Sequence, residues 1–116
     1  MAGKTTYKFT GRFLIATVTG YADLELMRAL VEVFQTRLDE GCGEFVFDFS
    51  GMTQINSSAL GELLEMISQG MGRENVRFSF CAVPPSCRLG IDSLGIFNYV
   101  DEYYSVQEAL QFIESA

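Results

Sequence analysis

Apolar side chains recur along this chain with two periods, and the change from one to the other marks out its elements. Phe13-Leu14-Ile15-Ala16-Thr17-Val18-Thr19 is a β-branched, apolar run closed by Gly20 and reads as a strand. Tyr7 to Thr10 forms its partner across a turn at Gly11-Arg12. Met27, Leu30, Val31, Phe34 and Leu38 then fall at the spacing of a single helix face, behind Asp23 as cap. Gly41-Cys42-Gly43 ends that helix, because glycine suits the position just past a helix C-terminus. Glu44 to Phe49 reads as a buried strand. After a loop, Leu60, Leu63, Leu64, Ile67 and Met71 line one face of a second helix, which Gly70 and Gly72 close.

The second half follows the same rules. Val76 to Ala82 alternates apolar and mostly polar residues, a half-buried strand stopped by Pro84-Pro85. A short helix from near Ser86 to Gly95 is expected to turn Leu89 and Leu94 inward, before a last short strand over Phe97 to Val100. Ser105-Val106-Gln107-Glu108 is a capping box ahead of a stripe of Val106, Ala109, Leu110 and Ile113. The order ββαβαβαβα predicts an α/β fold over residues 1–116 as one domain. Its mixed sheet would have four to five strands, with about four helices packed against it.

Composition narrows the class. With 48% apolar residues, including ten Phe, the chain has material for a packed core. Cys42, Cys81 and Cys87 are odd in number and form no C-x-x-C, which suits a reduced interior better than a disulfide framework. Cys81, inside an apolar run, reads as a small core residue. The net charge is −7, and the only basic concentration, Lys4, Lys8 and Arg12, is too thin for a nucleic-acid footprint. No apolar signal core follows Met1-Ala2-Gly3-Lys4 and no apolar run reaches bilayer length, so a soluble, cytoplasmic protein without membrane insertion is expected. The absence of histidine removes Ser–His and Cys–His catalytic pairs and the usual His/Cys metal sites. The glycine pairs match neither a P-loop nor a dinucleotide fingerprint. The expectation is therefore a binding module with no catalytic residue, metal or cofactor.

The informative chemistry lies between the third strand and the second helix. Asn56-Ser57-Ser58 places an amide and two hydroxyls at a helix start, where backbone N–H groups are free and the macrodipole is positive. All three are good N-cap types, and a cap stabilises by about 1 kcal/mol with no further function. A phosphate can also be accommodated there. On residue types alone, capping is the stronger reading. Asp48 reads as a residue tying down loop amides. Met52 is balanced between a core plug and part of a docking patch, and Ile55 favours the core.

Asp48-Phe49-Ser50, five residues, then Asn56-Ser57-Ser58-Ala59-Leu60-Gly61 resembles the signature of STAS domains. These are the bacterial anti-sigma-factor antagonists and the C-terminal domains of sulfate transporters. The family pattern is a strand ending Asp-Leu-Ser, a five-residue loop, then Asp-Ser-Ser-Gly-Leu-Gly. Element order, the turn Leu94-Gly95-Ile96-Phe97 and the final capped helix agree with it along nearly the whole chain. The resemblance implies phosphorylation of the second serine, Ser58, by a partner anti-sigma factor with serine-kinase activity, with Ser57 the lesser candidate. It places Asp48 and Asn56 in the phosphosite environment. It implies partner binding through Met52, Asn56, Ser57, Ser58, Ala59 and Leu60, with a phosphatase resetting the switch.

Three positions depart from the pattern: Asn56 for aspartate, Ala59 for glycine, and Tyr21-Ala22-Asp23 where many antagonists read Glu-Leu-Asp. The first supports an alternative, a non-phosphorylated STAS scaffold or subunit of a stress-signalling or lipid-transport complex. A small anion- or ligand-binding domain is the third reading.

Overall fold

The computed structural model describes residues 2–115, the side chain of Ser115 excepted; Met1 and Ala116 of the expected domain lie outside the described residues. Its elements are β1 (Lys4–Thr10), β2 (Phe13–Ala22), α1 (Leu24–Asp39), β3 (Glu44–Ile55), α2 (Ser57–Met71), β4 (Arg77–Cys81), α3 (Pro85–Ser93), a 3-10 turn (Ile96–Asn98), β5 (Asp101–Tyr103) and α4 (Val106–Ser115). The strands form one sheet in the order β1-β2-β3-β4-β5. β1 is antiparallel to β2 and the other neighbours are parallel, so the α/β fold with a mixed sheet is as the sequence predicts.

Strand alternation divides the side chains between two layers. Leu14, Ala16 and Val18 of β2, with Phe45, Phe47, Phe49, Phe78 and Phe80 of β3 and β4, form the main core with α1, α2 and α3. Val46 and Cys81 point the other way and are covered by Ala109 and Ile113 of α4. All five residues of the predicted α1 stripe are buried. Asp23 caps that helix by accepting from the Leu26 amide at 2.9 Å, and the Cys42 amide returns to the Arg37 carbonyl at 2.9 Å. At α4 the Ser105 hydroxyl accepts from the Glu108 amide at 3.1 Å. The Glu108 carboxylate reaches one residue further back than a capping box requires, accepting from the Tyr104 amide at 3.2 Å.

Several expectations need correcting. β2 runs through Gly20 to Ala22, and β3 runs on to Ile55 across the expected loop. Gly20 is not a stop: it has φ +75°, and a Cβ there would lie 2.7 Å from the Ala2 carbonyl oxygen. The predicted strand over Phe97 to Val100 is instead the 3-10 turn, and β5 follows it. Phe97 packs on the core and meets the Phe80 ring edge-on at 6.5 Å, and an apolar residue serves a turn packed on the core as well as a strand. In α3 the inward residues are Cys87 and Ile91, whereas Leu89 is 80% exposed and Leu94 is also exposed.

The apolar face of α2 is likewise rotated. It centres on Ala59, Leu63, Met66, Ile67 and Gly70, leaving Met71 exposed. Gly70 belongs to that face because Phe78 fills the space beyond it. A Cβ at Gly70 would lie 2.4 Å from two carbons of the Phe78 ring. Gly70→Ala is therefore expected to lower stability by about 1–3 kcal/mol in urea unfolding, the overpacking cost exceeding the gain of about 1 kcal/mol in helix propensity.

Cys42, Cys81 and Cys87 are free thiols, and Cys81 is fully buried. Burial, with the Asp48 carboxylate adding to it, pushes the Cys81 thiol up to about 12. Burial also raises the Cys42 thiol. Since the thiolate is the reactive form, Cys81 is expected to resist Ellman's reagent at pH 8 in the folded protein. In denaturant all three should react promptly.

Candidate functional site

β3 outlasts its neighbour on one side. β4 pairs with it only as far as Cys81 opposite Asp48, while β2 continues alongside it to Ala22 opposite Ile55. Two irregularities bend this extension. Phe49 and Ser50 stand where β2 offers only Val18, and Thr53 has no counterpart between Gly20 and Tyr21. Asp48 Oδ1 accepts from the Ser50 amide at 3.0 Å, tying the first bulge. On the side that β4 has left, the Ser86 hydroxyl at the start of α3 donates to the Thr53 carbonyl at 3.1 Å.

The chain then enters α2 through Asn56, which is held three ways. Its amide donates to the Ala22 carbonyl at 3.3 Å, its carbonyl accepts from the Leu60 amide at 2.9 Å, and its Oδ1 accepts from the Ala59 amide at 2.8 Å. Asn56 is thus the N-cap, and Ser57 and Ser58 are the first two helical residues. Of the three cap-forming types in a row, one does the capping and both hydroxyls are left exposed. The Ser57 and Ser58 amides are among those at a helix start with no intrahelical acceptor. Asn56→Ala is expected to lower stability by about 1 kcal/mol, and Asn56→Asp, which keeps the accepting oxygen, should restore it in the same thermal melts.

Met52 is 2% exposed and Ala59 is fully buried, so these two expected docking residues belong to the core. Burial of Met52 decides between its two readings. Ile55 is half-buried and packs on the core. Asn56, Ser57, Ser58 and Leu60 remain at the surface in whole or part. Leu60 lies against α3, where a Cβ on Gly90 would come within 2.9 Å of its Cδ1.

The register also sets which way Asp48 faces. Phe47 and Phe49 on either side of it face α2, so Asp48 faces the layer of α4, beside Cys81. Its observed work is holding the bulge.

Two contacts at the site had no sequence signal, since each joins elements far apart in the chain. One is the Ser86–Thr53 bond. The other is the pair between Arg28 of α1 and Glu62 of α2 at 3.5 Å, which offsets the carboxylate one turn from Ser58. Among the described residues no helix is long and apolar enough to cross a membrane. Nor does any group of three or more His, Cys, Asp or Glu side chains among them have a metal-holding arrangement.

The STAS domain family matches residues 4–109, and the chain belongs to that family. An anti-sigma factor antagonist from Mycobacterium paratuberculosis superposes with a TM-score of 0.81 at 18% identity, covering 97% of this chain and 95% of its own. The Bacillus cell fate determinant SpoIIAA, in its phosphorylated form, gives 0.78 at 14% identity over 95% and 99%. A sulfate transporter family protein from Wolinella succinogenes gives 0.77 at 13% identity over 92% and 88%. At such identities the likeness is one of fold. Comparison with curated protein sequences found no match.

Proposed function

We propose that this STAS domain is a cytoplasmic anti-sigma-factor antagonist. Unphosphorylated, it binds an anti-sigma factor with serine-kinase activity through the exposed start of α2, and so frees the sigma factor. The partner then transfers the γ-phosphoryl group of its own ATP to Ser58 Oγ. A new O–P bond forms, the β–γ bridging bond breaks, ADP departs, and the hydroxyl proton passes to a base on the kinase. A phosphatase reverses the step by hydrolysis. The domain is substrate and ligand, not catalyst.

The observation that carries this reading is that Asn56 does the capping and leaves both hydroxyls exposed beside unpaired amides. Phosphorylation adds about −1.5 to −2 charge. The positive end of α2 favours a charge there by about 0.3–1 kcal/mol. The neutral Asn56 adds no repulsion, and Arg28 moderates that of Glu62. The fold thus tolerates a modification that an apposed partner surface does not. The test is incubation with the cognate kinase and magnesium-ATP, then peptide mapping by mass spectrometry. One phosphate on Ser58 is expected, with Ser58→Ala abolishing it and retaining partner binding. Binding with no phosphate on Ser57 or Ser58 would favour the scaffold reading, for which Asn56 in the aspartate position already speaks.

A further inference from the structure

β1 ends the sheet, with β2 on one side and no strand on the other. With only Gly11-Arg12 between them, Thr10 and Phe13 are a hydrogen-bonded pair, and the register runs without a shift back to Lys4 opposite Thr19. Hydrogen-bonded and non-hydrogen-bonded pairs alternate along such a ladder. Lys4, Thr6, Lys8 and Thr10 therefore bond to β2. The amides and carbonyls of Thr5, Tyr7 and Phe9 point away from it, along the free edge.

The two faces of this edge differ. Thr5, Tyr7 and Phe9 stand opposite the core residues Val18, Ala16 and Leu14, so their side chains lie on the face of α1. A groove of about 380 Å³ separates them from that helix, with Tyr7, Phe9, Ala29 and Val33 as its apolar lining and Glu32 exposed beside them. Arg37 also lines it, 3.5 Å from the Phe9 ring centroid and paired with Glu40 at 2.7 Å. Lys4, Thr6 and Lys8 project to the other face and are exposed. Their partners on β2, Thr19, Thr17 and Ile15, carry no charge. On that face the sheet's carboxylates begin two strands away, at Glu44 and Asp48 of β3, and Glu44 is held by Arg77 at 2.8 Å.

Charge narrows what suits this edge. Of the eight lysines and arginines, Arg28, Arg37, Arg77 and Arg88 are paired with Glu62, Glu40, Glu44 and Glu102. Among the described residues that leaves Lys4, Lys8, Arg12 and Arg73 without a carboxylate partner. Three of these lie on β1 and its turn. In a chain of net charge −7, unmatched positive charge is thus gathered on an edge whose backbone is open.

We propose that the outer edge of β1 takes an extended acidic segment of a partner protein as an added strand. The segment's main chain pairs with Thr5, Tyr7 and Phe9. Its alternate side chains are carboxylates facing Lys4 and Lys8, and those between are apolar and enter the groove. Strand addition draws affinity from main-chain bonds and specificity from alternate side chains. Glu32 repels a carboxylate on the α1 side, which fixes which face of the segment is acidic. Nucleic acid and anionic lipid carry the charge but not the main-chain donors and acceptors that pair with a strand edge. A second copy is disfavoured, because antiparallel pairing about Thr6 sets Lys4 against Lys8. None of the residues proposed for the switch at Ser58 takes part.

The test is a titration of isotope-labelled protein with a short synthetic peptide alternating glutamate and valine, read by amide shifts and hydrogen exchange. One control peptide has lysine for glutamate. A second has proline for valine, which keeps the charge and removes the main-chain donors. In the free protein the Thr5, Tyr7 and Phe9 amides are expected to exchange faster than those of Thr6 and Lys8. The glutamate peptide should shift and protect them, leave Ser57 to Leu60 unmoved, and bind at least about tenfold more weakly when Lys4→Glu and Lys8→Glu are combined. Both lysines are exposed, so that variant keeps the fold. Four results would overturn the proposal: no binding, equal binding of either control peptide, shifts centred on Arg73, or edge amides already protected by self-association of the protein alone.

Discussion

Ser58→Glu is expected to weaken anti-sigma-factor binding at least about 100-fold, roughly 2.7 kcal/mol, while changing stability by less than about 1 kcal/mol. Both halves follow from where Ser58 stands. It is exposed on the second residue of α2, so a carboxylate there meets solvent and the positive end of the helix. Arg28 already engages Glu62 on the next turn, which limits repulsion within the domain. Under the proposed docking at the start of α2, the same carboxylate would lose its water on binding, and an unpaired interfacial charge costs about 2–5 kcal/mol. Calorimetric titration and urea unfolding on one preparation measure the two halves together. Loss of binding accompanied by unfolding would show a folding defect instead of a switch.

The largest effect on stability is expected at Phe47. Its ring lies 6.1 Å from Phe49, 6.4 Å from Phe78 and 5.9 Å from Phe80, the last edge-on, in the middle strand of the sheet. Phe47→Ala removes fully buried surface and leaves a cavity walled by rings that α1 and α2 hold in place. A loss of about 3–5 kcal/mol is expected, a large share of the total stability of about 5–15 kcal/mol usual for a domain. Urea unfolding should show a lowered midpoint with little change in slope. Val46→Ala, in the smaller cluster under α4, should cost less, about 1–2 kcal/mol. Equal losses at the two positions would contradict the division into a main and a minor core.

These two residues also show what the chain makes legible. The α1 stripe could be read because its five apolar residues sit on a helix whose cap and end both lie in local sequence. The α2 stripe is slightly out of phase with its apolar spacing: Met71 has the right spacing, but Gly70 faces the core because the Phe78 ring occupies the space a side chain would take. The extension of β3 reads as a loop because Ser50 and Gly51 are poor strand signals. Bulges absorb them, and bulges depend on the partner strand. The same bulges and alternation set which way Asp48 points, which lies beyond local reading. At the helix start, the residue types named three caps equally well. Only the geometry of Asn56, tied at once to β2 and to the first turn of α2, assigns the cap and leaves the serines free.

That assignment underlies the proposed switch at Ser58, which one comparison tests most directly. The protein is phosphorylated to completion on Ser58 by its cognate kinase. The affinity of the anti-sigma factor for it is then measured beside that for the unmodified protein, with amide spectra of both. The expected result is an affinity at least about 100-fold lower, with spectral changes confined to the start of α2 and its neighbours. Equal affinity for the two forms would contradict a switch at Ser58.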